Sequence, residues 1–330
     1  MNKFFSFLKT IIPVRGDSKR EWMRKLVFLL SLAVFIGCAG YLIDDLLLQP
    51  YHTQKITQQA QDWYHTDQDE TPQTPEQEGD TIVFPEQMDP SFYSLYRRNN
   101  DIKAWLTFAT TGDDLFNGAI DNPVVQAGDN DFYLNRNYLK EPEKAGTLYF
   151  DYRNDLSAEG TNRNLIIYGH NLNSGLMFSR FNLLAKGNVD YARRLTTLTL
   201  DTWYGEQRTY KVFAVMIINA ENKDEKMFNY LRTQFTDDSF LEFTDQIRRR
   251  SLFDFGDVDI QKTDEIITLS TCSNKRETKL TDGRTVIVAR RVREGEDTAV
   301  NTSKTVRNED VLMPKMWYVA TKNELPEEYR

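Results

Sequence analysis

The apolar positions of the chain fall into two regimes. Residues 26–43, LVFLLSLAVFIGCAGYLI, form one uninterrupted apolar run. As a helix rising about 1.5 Å per residue, it spans roughly 27 Å, close to the thickness of a bilayer core. Beyond residue 88, after a short helical opening, the pattern changes to short runs of mostly strand type, bounded by polar and turn residues. It predicts strands over 104–108, NPVVQ (122–126), GTLYFD (146–151), NLIIYGH (164–170), LTTLTLDTWY (195–204), RTYKVFAVMIIN (208–219), EIITLSTC (265–272) and RTVIVARRV (284–292). Helical spacing appears at Phe92, Leu95 and Tyr96, in MFSRFNLLA (177–185), and in DDSFLEFTDQIRRRSLF (237–253) through Phe240, Phe243 and Ile247. Seven or eight strands with a few inserted helices predict a mainly β fold, a closed or nearly closed mixed barrel.

The segments around that domain differ in composition. Residues 48–88 are rich in Gln, Thr, Asp, Glu and Pro with few aliphatics. Such a stretch buries too little apolar surface to offset its ordering entropy and reads as a stalk, although its first part can continue as helix from the apolar run. The end of the chain, 294–330, is polar apart from LMPKMWYVA, whose Met313, Met316, Trp317 and Tyr318 are candidates to pack back on the barrel. The expected layout is a basic segment 1–25, a membrane anchor 26–43, a linker 44–88, a folded domain 89–293 and an extension 294–330.

Charge refines this layout. The 330 residues carry a net −8, yet the first 25 carry about +5, with Lys3, Lys9, Arg15, Lys19, Arg20, Arg24 and Lys25 against Asp17 and Glu21. The remainder lacks the cationic surplus that nucleic-acid binding needs. A cleaved signal peptide or lipobox around Cys38 and a buried core helix compete for residues 26–43. The continuous run and its long basic flank favour an uncleaved single-pass anchor with a cytoplasmic N-terminus and an extracellular domain.

Export changes how cysteine is read. Disulfides persist outside the cell, but the chain has two cysteines and Cys38 lies in the apolar run, leaving Cys272 unpaired. Histidine is scarcer in the domain: of His52, His65 and His170, the first two fall in the linker. One histidine and one cysteine, with neither CxxC nor HExxH, argue against a zinc enzyme and imply no metal or cofactor. Both end strand-like runs, the position from which a rigid scaffold projects side chains into a cleft. Asp282-Gly283 marks a turn after Cys272, and Arg284 opens a strand that returns antiparallel beside it. Each residue has a plainer reading: a buried inert thiol, an ordinary polar histidine, a solvated arginine. Their joint placement favours a thiol nucleophile with a cationic neighbour.

At this point the residues resemble a known family. TLSTC before a strand opening with Arg, and YGHN a hundred residues earlier, look like a sortase, the membrane-anchored cysteine transpeptidases of Gram-positive bacteria. The stretches DNPVVQAGDNDFYLNRN (121–137), GTLYFDYRN (146–154), NLIIYGHNLNSGLMFSRFNLL (164–184) and ITLSTC (267–272) resemble class B. The resemblance implies a closed β-barrel of about eight strands, with class B helices at its N-terminus and between late strands. It assigns Cys272 as nucleophile, His170 as the proton donor to the leaving amine, and Arg284, rather than Arg290 or Arg291, as holder of substrate or oxyanion. Leu134, Asn135, Tyr168, Ser270 and Thr271 stand beside these motifs as candidate substrate-binding residues. The implied partners are surface proteins with a C-terminal sorting signal of Asn-Pro-x-Thr-x type and an amine of a cell-wall precursor or a pilin.

The sequence departs from the family at Ser273, where an acidic residue is common, and in the basic loop between Cys272 and Arg284. Three other readings stay open: an anchored cysteine peptidase using water, a pilin polymerase of class C, and an inactive scaffold. Class C enzymes carry a lid with an Asp-Pro-aromatic motif, which Asp89-Pro90-Ser91-Phe92 matches loosely, and a second membrane span.

Overall fold

A computed structural model describes residues 10–66, 84–110, 120–157, 160, 162–172, 175–220, 228–273 and 275–330. The expected linker residues 67–83 and the first nine residues of the basic segment lie outside the described residues. The chain divides into two units, Met1–His52 and Thr53–Arg330. In the first, Ser18 caps the helix Lys19–Ile43 by accepting from the Glu21 N–H (3.2 Å). By length and composition, one helical stretch among the described residues, Lys19–His65, is long and apolar enough to cross a membrane.

Among the described residues, the second unit holds ten strands: β1 (Ile102–Thr110), β2 (Asp121–Val125), β3 (Leu148–Phe150), β4 (Asn164–Tyr168), β5 (Leu195–Thr202), β6 (Gln207–Asn219), β7 (Phe253–Phe255), β8 (Ile266–Cys272), β9 (Gly283–Arg291) and β10 (Thr305–Arg307). Eight close into a barrel in the order β1-β2-β3-β4-β8-β9-β6-β5, which leaves no free edge. The pairs β2–β3 and β4–β8 are parallel and the others antiparallel. Alternate residues fill the interior, among them Leu106, Leu165, Ile167, Leu198, Val215, Ile267, Leu269 and Ile287. These eight correspond to the strand-type runs expected from the sequence.

The small sheet β7–β10 is not predicted. The helix expected over 237–253 stops at Arg250, where Ser251 Oγ accepts from the Val215 N–H (3.1 Å) and donates to the Phe253 carbonyl (2.6 Å). Three residues give too little alternation to be read as a strand. That helix, Asp237–Arg250, carries a Thr236–Ser239 capping box, acids in its first turn and three arginines in its last, all favourable to its dipole. Its Phe240, Phe243 and Ile247 cover the outer wall of β6, β8 and β9 against Phe213, Met216, Val286 and Val288.

The expected linker differs from what is found. Residues 53–66, the end of the helix Gln49–Thr66, pack on the outer wall of β1 and β2. Ala60 and Tyr64 are buried there, and Tyr64 stacks on Trp105 (centroids 4.2 Å apart, 4° between planes) and donates to Asp201 (2.6 Å). Asp89 to Phe92, the stretch compared with a lid, is folded against the β5–β6 turn, where the Asp89 N–H donates to the Trp203 carbonyl (2.7 Å). At the end of the chain, Met313 joins the main core, with Met316, Trp317 and Tyr318 packed against it.

An ion cluster ties the extension to the barrel. Arg290, fully buried, donates to both oxygens of Glu296 (2.5 and 2.6 Å), and Lys211 adds a third bond (2.9 Å). The bonds from Arg290, then Lys211 and the Arg293 N–H, hold the Glu296 carboxyl far below the ordinary carboxylate range. A carboxylate depressed in the folded state stabilises it above its unfolded pKa, near 4.3, and loses that contribution as pH falls toward the folded value. Glu296→Gln, which removes the carboxylate closest to two buried cations, is expected to cost about 3 kcal/mol at pH 7. It is also expected to flatten the loss of stability below about pH 4.5. Urea unfolding across pH measures both.

Candidate active site

Strand β8 lies between β4 and β9, and its alternation separates two faces. Ile267 and Leu269 point into the barrel, so Ser270 and Cys272 stand with Thr268 on the outer wall. On β4, Leu165 and Ile167 point inward and Tyr168 outward. Tyr168 is in parallel register with Ser270, and the Gly169 N–H extends the ladder to the Ser270 carbonyl (3.2 Å). Two residues beyond that pair come His170 and Cys272, both on the outer face at the same strand ends. On the other side, Cys272 is the direct antiparallel partner of Arg284.

The side chains follow the backbone. Arg284 Nη1 donates to Cys272 Sγ, and its Nη2 pairs with Asp282 (3.0 Å), so both arms of the guanidinium are held. Cys272 is exposed. His170, half-buried, bonds through Nε2 to the Leu134 carbonyl (2.7 Å). Because a carbonyl only accepts, Nε2 carries the proton, and in the neutral ring the lone pair is on Nδ1. Among the described residues no hydrogen bond joins His170 to Cys272.

Two glycines make this placement possible. Gly146 has φ +58, and a Cβ there would stand 2.7 Å from the Leu134 and Tyr133 carbonyls and 3.1 Å from His170 Cδ2. Gly169 leaves no room either, since its Cβ would meet Leu148 at 2.5 Å and Phe178 at 2.7 Å. Beside these strand ends, Tyr149 and Tyr168 pack together (rings 5.2 Å apart), and Tyr230 shares a hydrogen bond with Ser270 (3.0 Å). Burial raises the Tyr149 phenol, with the Arg284 charge opposing the rise.

The candidate binding residues fall in different places. Leu134 supplies the carbonyl under His170, while Asn135 is exposed and accepts from the Glu143 N–H (3.1 Å). Tyr168 and Ser270 line the outer face. Thr271, one residue before Cys272, points into the barrel, where its Oγ1 is buried without a partner. Ser273 bonds to Thr285 (2.8 Å). Arg290 and Arg291 belong to the opposite end of β9, paired with Glu296 and with Glu265 and Glu206. The sequence reading missed Asp151, fully buried, which joins Arg153 to the Tyr168 hydroxyl (2.8 Å). Among the described residues, no group of three or more His, Cys, Asp or Glu stands close enough to hold a metal ion.

A model of the sortase domain matches residues 116–292. The chain belongs to the sortase family. Its class is B: it is 30% identical over 276 residues to Sortase B of Listeria monocytogenes, covering 81% of this chain and 96% of that relative. The crystal structure of sortase B from Bacillus anthracis shares 29% identity and the fold, with a TM-score of 0.57 over 74% of this chain and 99% of that one. A sortase B complexed with triglycine matches with a TM-score of 0.51 at 28% identity, covering 62% of this chain and 86% of that one. The eight-stranded barrel is thus the sortase barrel. Sortases are cysteine transpeptidases of the cell envelope that join sorting-signal substrates to amine acceptors, and this chain is an enzyme of that type.

Gly146→Ala is expected to displace the Leu134 carbonyl from His170 and to lower stability by about 1–3 kcal/mol, through positive φ and backbone overlap together. Denaturant unfolding reads the stability change. A shift of the His170 Nε2–H resonance, with the barrel's methyl spectrum retained, reads the displacement.

Proposed function

We propose that the chain cleaves a C-terminal sorting signal of Asn-Pro-x-Thr-x type through a Cys272 thioacyl intermediate and transfers the Thr to an amine of a cell-wall precursor or a pilin. The observation that carries this reading is the Cys272–Arg284 pair, one thiol and one fixed cation on facing residues of adjacent strands, with His170 at the neighbouring strand end.

The thiolate attacks the Thr carbonyl carbon, and the carbonyl electrons move to oxygen beside the Arg284 guanidinium. Collapse of this adduct breaks the Thr–x C–N bond. The leaving amine takes a proton from imidazolium His170, whose Nε2–H stays on the Leu134 carbonyl, so the mobile proton is the one on Nδ1. The acceptor amine then attacks the thioester, returns a proton to His170 and releases Cys272 as thiolate. The triglycine found with a related sortase B supports a small amine as acceptor. The apolar run 26–43 anchors the chain, with its basic flank in the cytoplasm and the barrel outside.

Incubating the chain with an Asn-Pro-x-Thr-x peptide and triglycine is expected to yield a Cys272 acyl adduct and a ligated product by mass spectrometry, both absent from Cys272→Ala. Hydrolysed peptide without ligation in excess triglycine would sink the transpeptidase reading. Arg284→Lys keeps the charge but loses the fork that spans Sγ and Asp282. It is expected to lower kcat/KM about 100-fold or more while shifting stability by less than about 1 kcal/mol.

A further inference from the structure

The buried carboxylate of Asp151 has no part in the steps above, yet it lies one bond from the outer face that carries Cys272. Its oxygens accept from Arg153 Nε and Nη2 (both 2.8 Å), the Arg153 N–H (2.9 Å), Asn130 Nδ2 (3.2 Å) and the Tyr168 hydroxyl (2.8 Å). The Asn130 amide is oriented by its own Oδ1, which accepts from the Tyr152 N–H (3.0 Å), so its NH₂ faces Asp151. Burial pulls the Asp151 carboxyl upward, but the donors of Arg153 and Tyr168 outweigh it and hold the carboxyl below its ordinary value. A carboxylate surrounded by donors can only accept. Tyr168 therefore spends its one hydroxyl proton on Asp151, and what its oxygen has left is lone pairs.

We propose that Asp151 is a positioning residue that fixes the polarity of Tyr168, so that the groove beside His170 reads an N–H donor of the sorting peptide and rejects a carboxylate at the same place. The inference rests on the proposed function, in which the outer face between Tyr168 and Cys272 receives the peptide. A tyrosine with a free proton serves a donor or an acceptor alike; one whose proton is committed discriminates. Asp151 touches no substrate and acts through Tyr168. Arg153 and Asn130 complete the setting by occupying the remaining carboxylate lone pairs.

The test uses the full chain and four peptides: Asn-Pro-Gln-Thr-Gly, its Asn→Asp and Gln→Glu forms, and the form with both changes. The wild type is expected to favour the carboxamide about tenfold in kcat/KM at one of the two positions. Asp151→Asn turns an NH₂ toward the Tyr168 oxygen and frees the hydroxyl proton. It is expected to erase or invert the preference at that position and leave the other unchanged, a ratio that a general loss of stability does not move. Tyr168→Phe keeps the ring against Tyr149, so it stays informative even if Asp151→Asn does not fold, and it is expected to erase the same preference.

Selectivity unchanged in Tyr168→Phe, or changed at different positions by the two variants, overturns the inference. Turnover of no peptide by the wild type overturns the proposed function instead. The same selectivity comparison is then made by calorimetric binding to Cys272→Ala, alone and combined with each substitution.

Discussion

The register of β8 between its two neighbours is the constraint on which the rest of the molecule depends. Its parallel ladder to β4 sets Ser270 beside Tyr168, and its antiparallel ladder to β9 sets Cys272 beside Arg284. Side chains alternate with a period of two, so a slip of one residue would carry Cys272 into the barrel and expel Ile267 and Leu269 to the outside. The same burial that holds the core therefore holds the thiol outward. Closure of the barrel adds to this, because a strand hydrogen-bonded on both sides has no edge along which to slide. The outer wall is then partitioned: the helix Asp237–Arg250 covers β6, β8 and β9 toward the far end, and the strand ends bearing His170, Cys272 and Arg284 lie beyond it.

Strand β9 shows how environment assigns different roles to one residue type. Arg284 at its start is partly exposed, tethered by Asp282 and directed at a thiol. Arg290, six residues on and on the same face, is fully buried against Glu296, while Arg291 reaches Glu265 and Glu206. At the far end, guanidinium groups meet carboxylates and lock the extension to the barrel. At the near end, one guanidinium donates to a thiol instead.

Much of this was legible in the chain. The barrel strands announced themselves as short apolar and β-branched runs bounded by polar turns, because most of them are packed on the inner face and covered on the outer one, as β6 and β8 are. Cys272 and His170 stood out by scarcity and by their strand ends, and Arg284 by the turn before it and by the resemblance. Other features were hidden for physical reasons. In a string of letters Asp151 is a charge at the start of a polar loop, and only the fold reveals that Arg153 and Tyr168 close over it. The packing face of residues 53–66 rests on Ile56, Ala60, Trp63 and Tyr64. Their spacing of four, three and one is helical, but it is diluted by Gln, Thr and Asp, so composition outweighed periodicity. Thr271 was decidable from alternation alone: if Cys272 faces outward, its neighbour in the strand faces in.

The Cys272 thiol sits on the outside of a filled barrel. Among the described residues the Cys272 side chain is open to solvent, so a ligand reaches it along the outer wall and its ends need not enter the filled interior. Such a surface suits an extended segment of a longer chain.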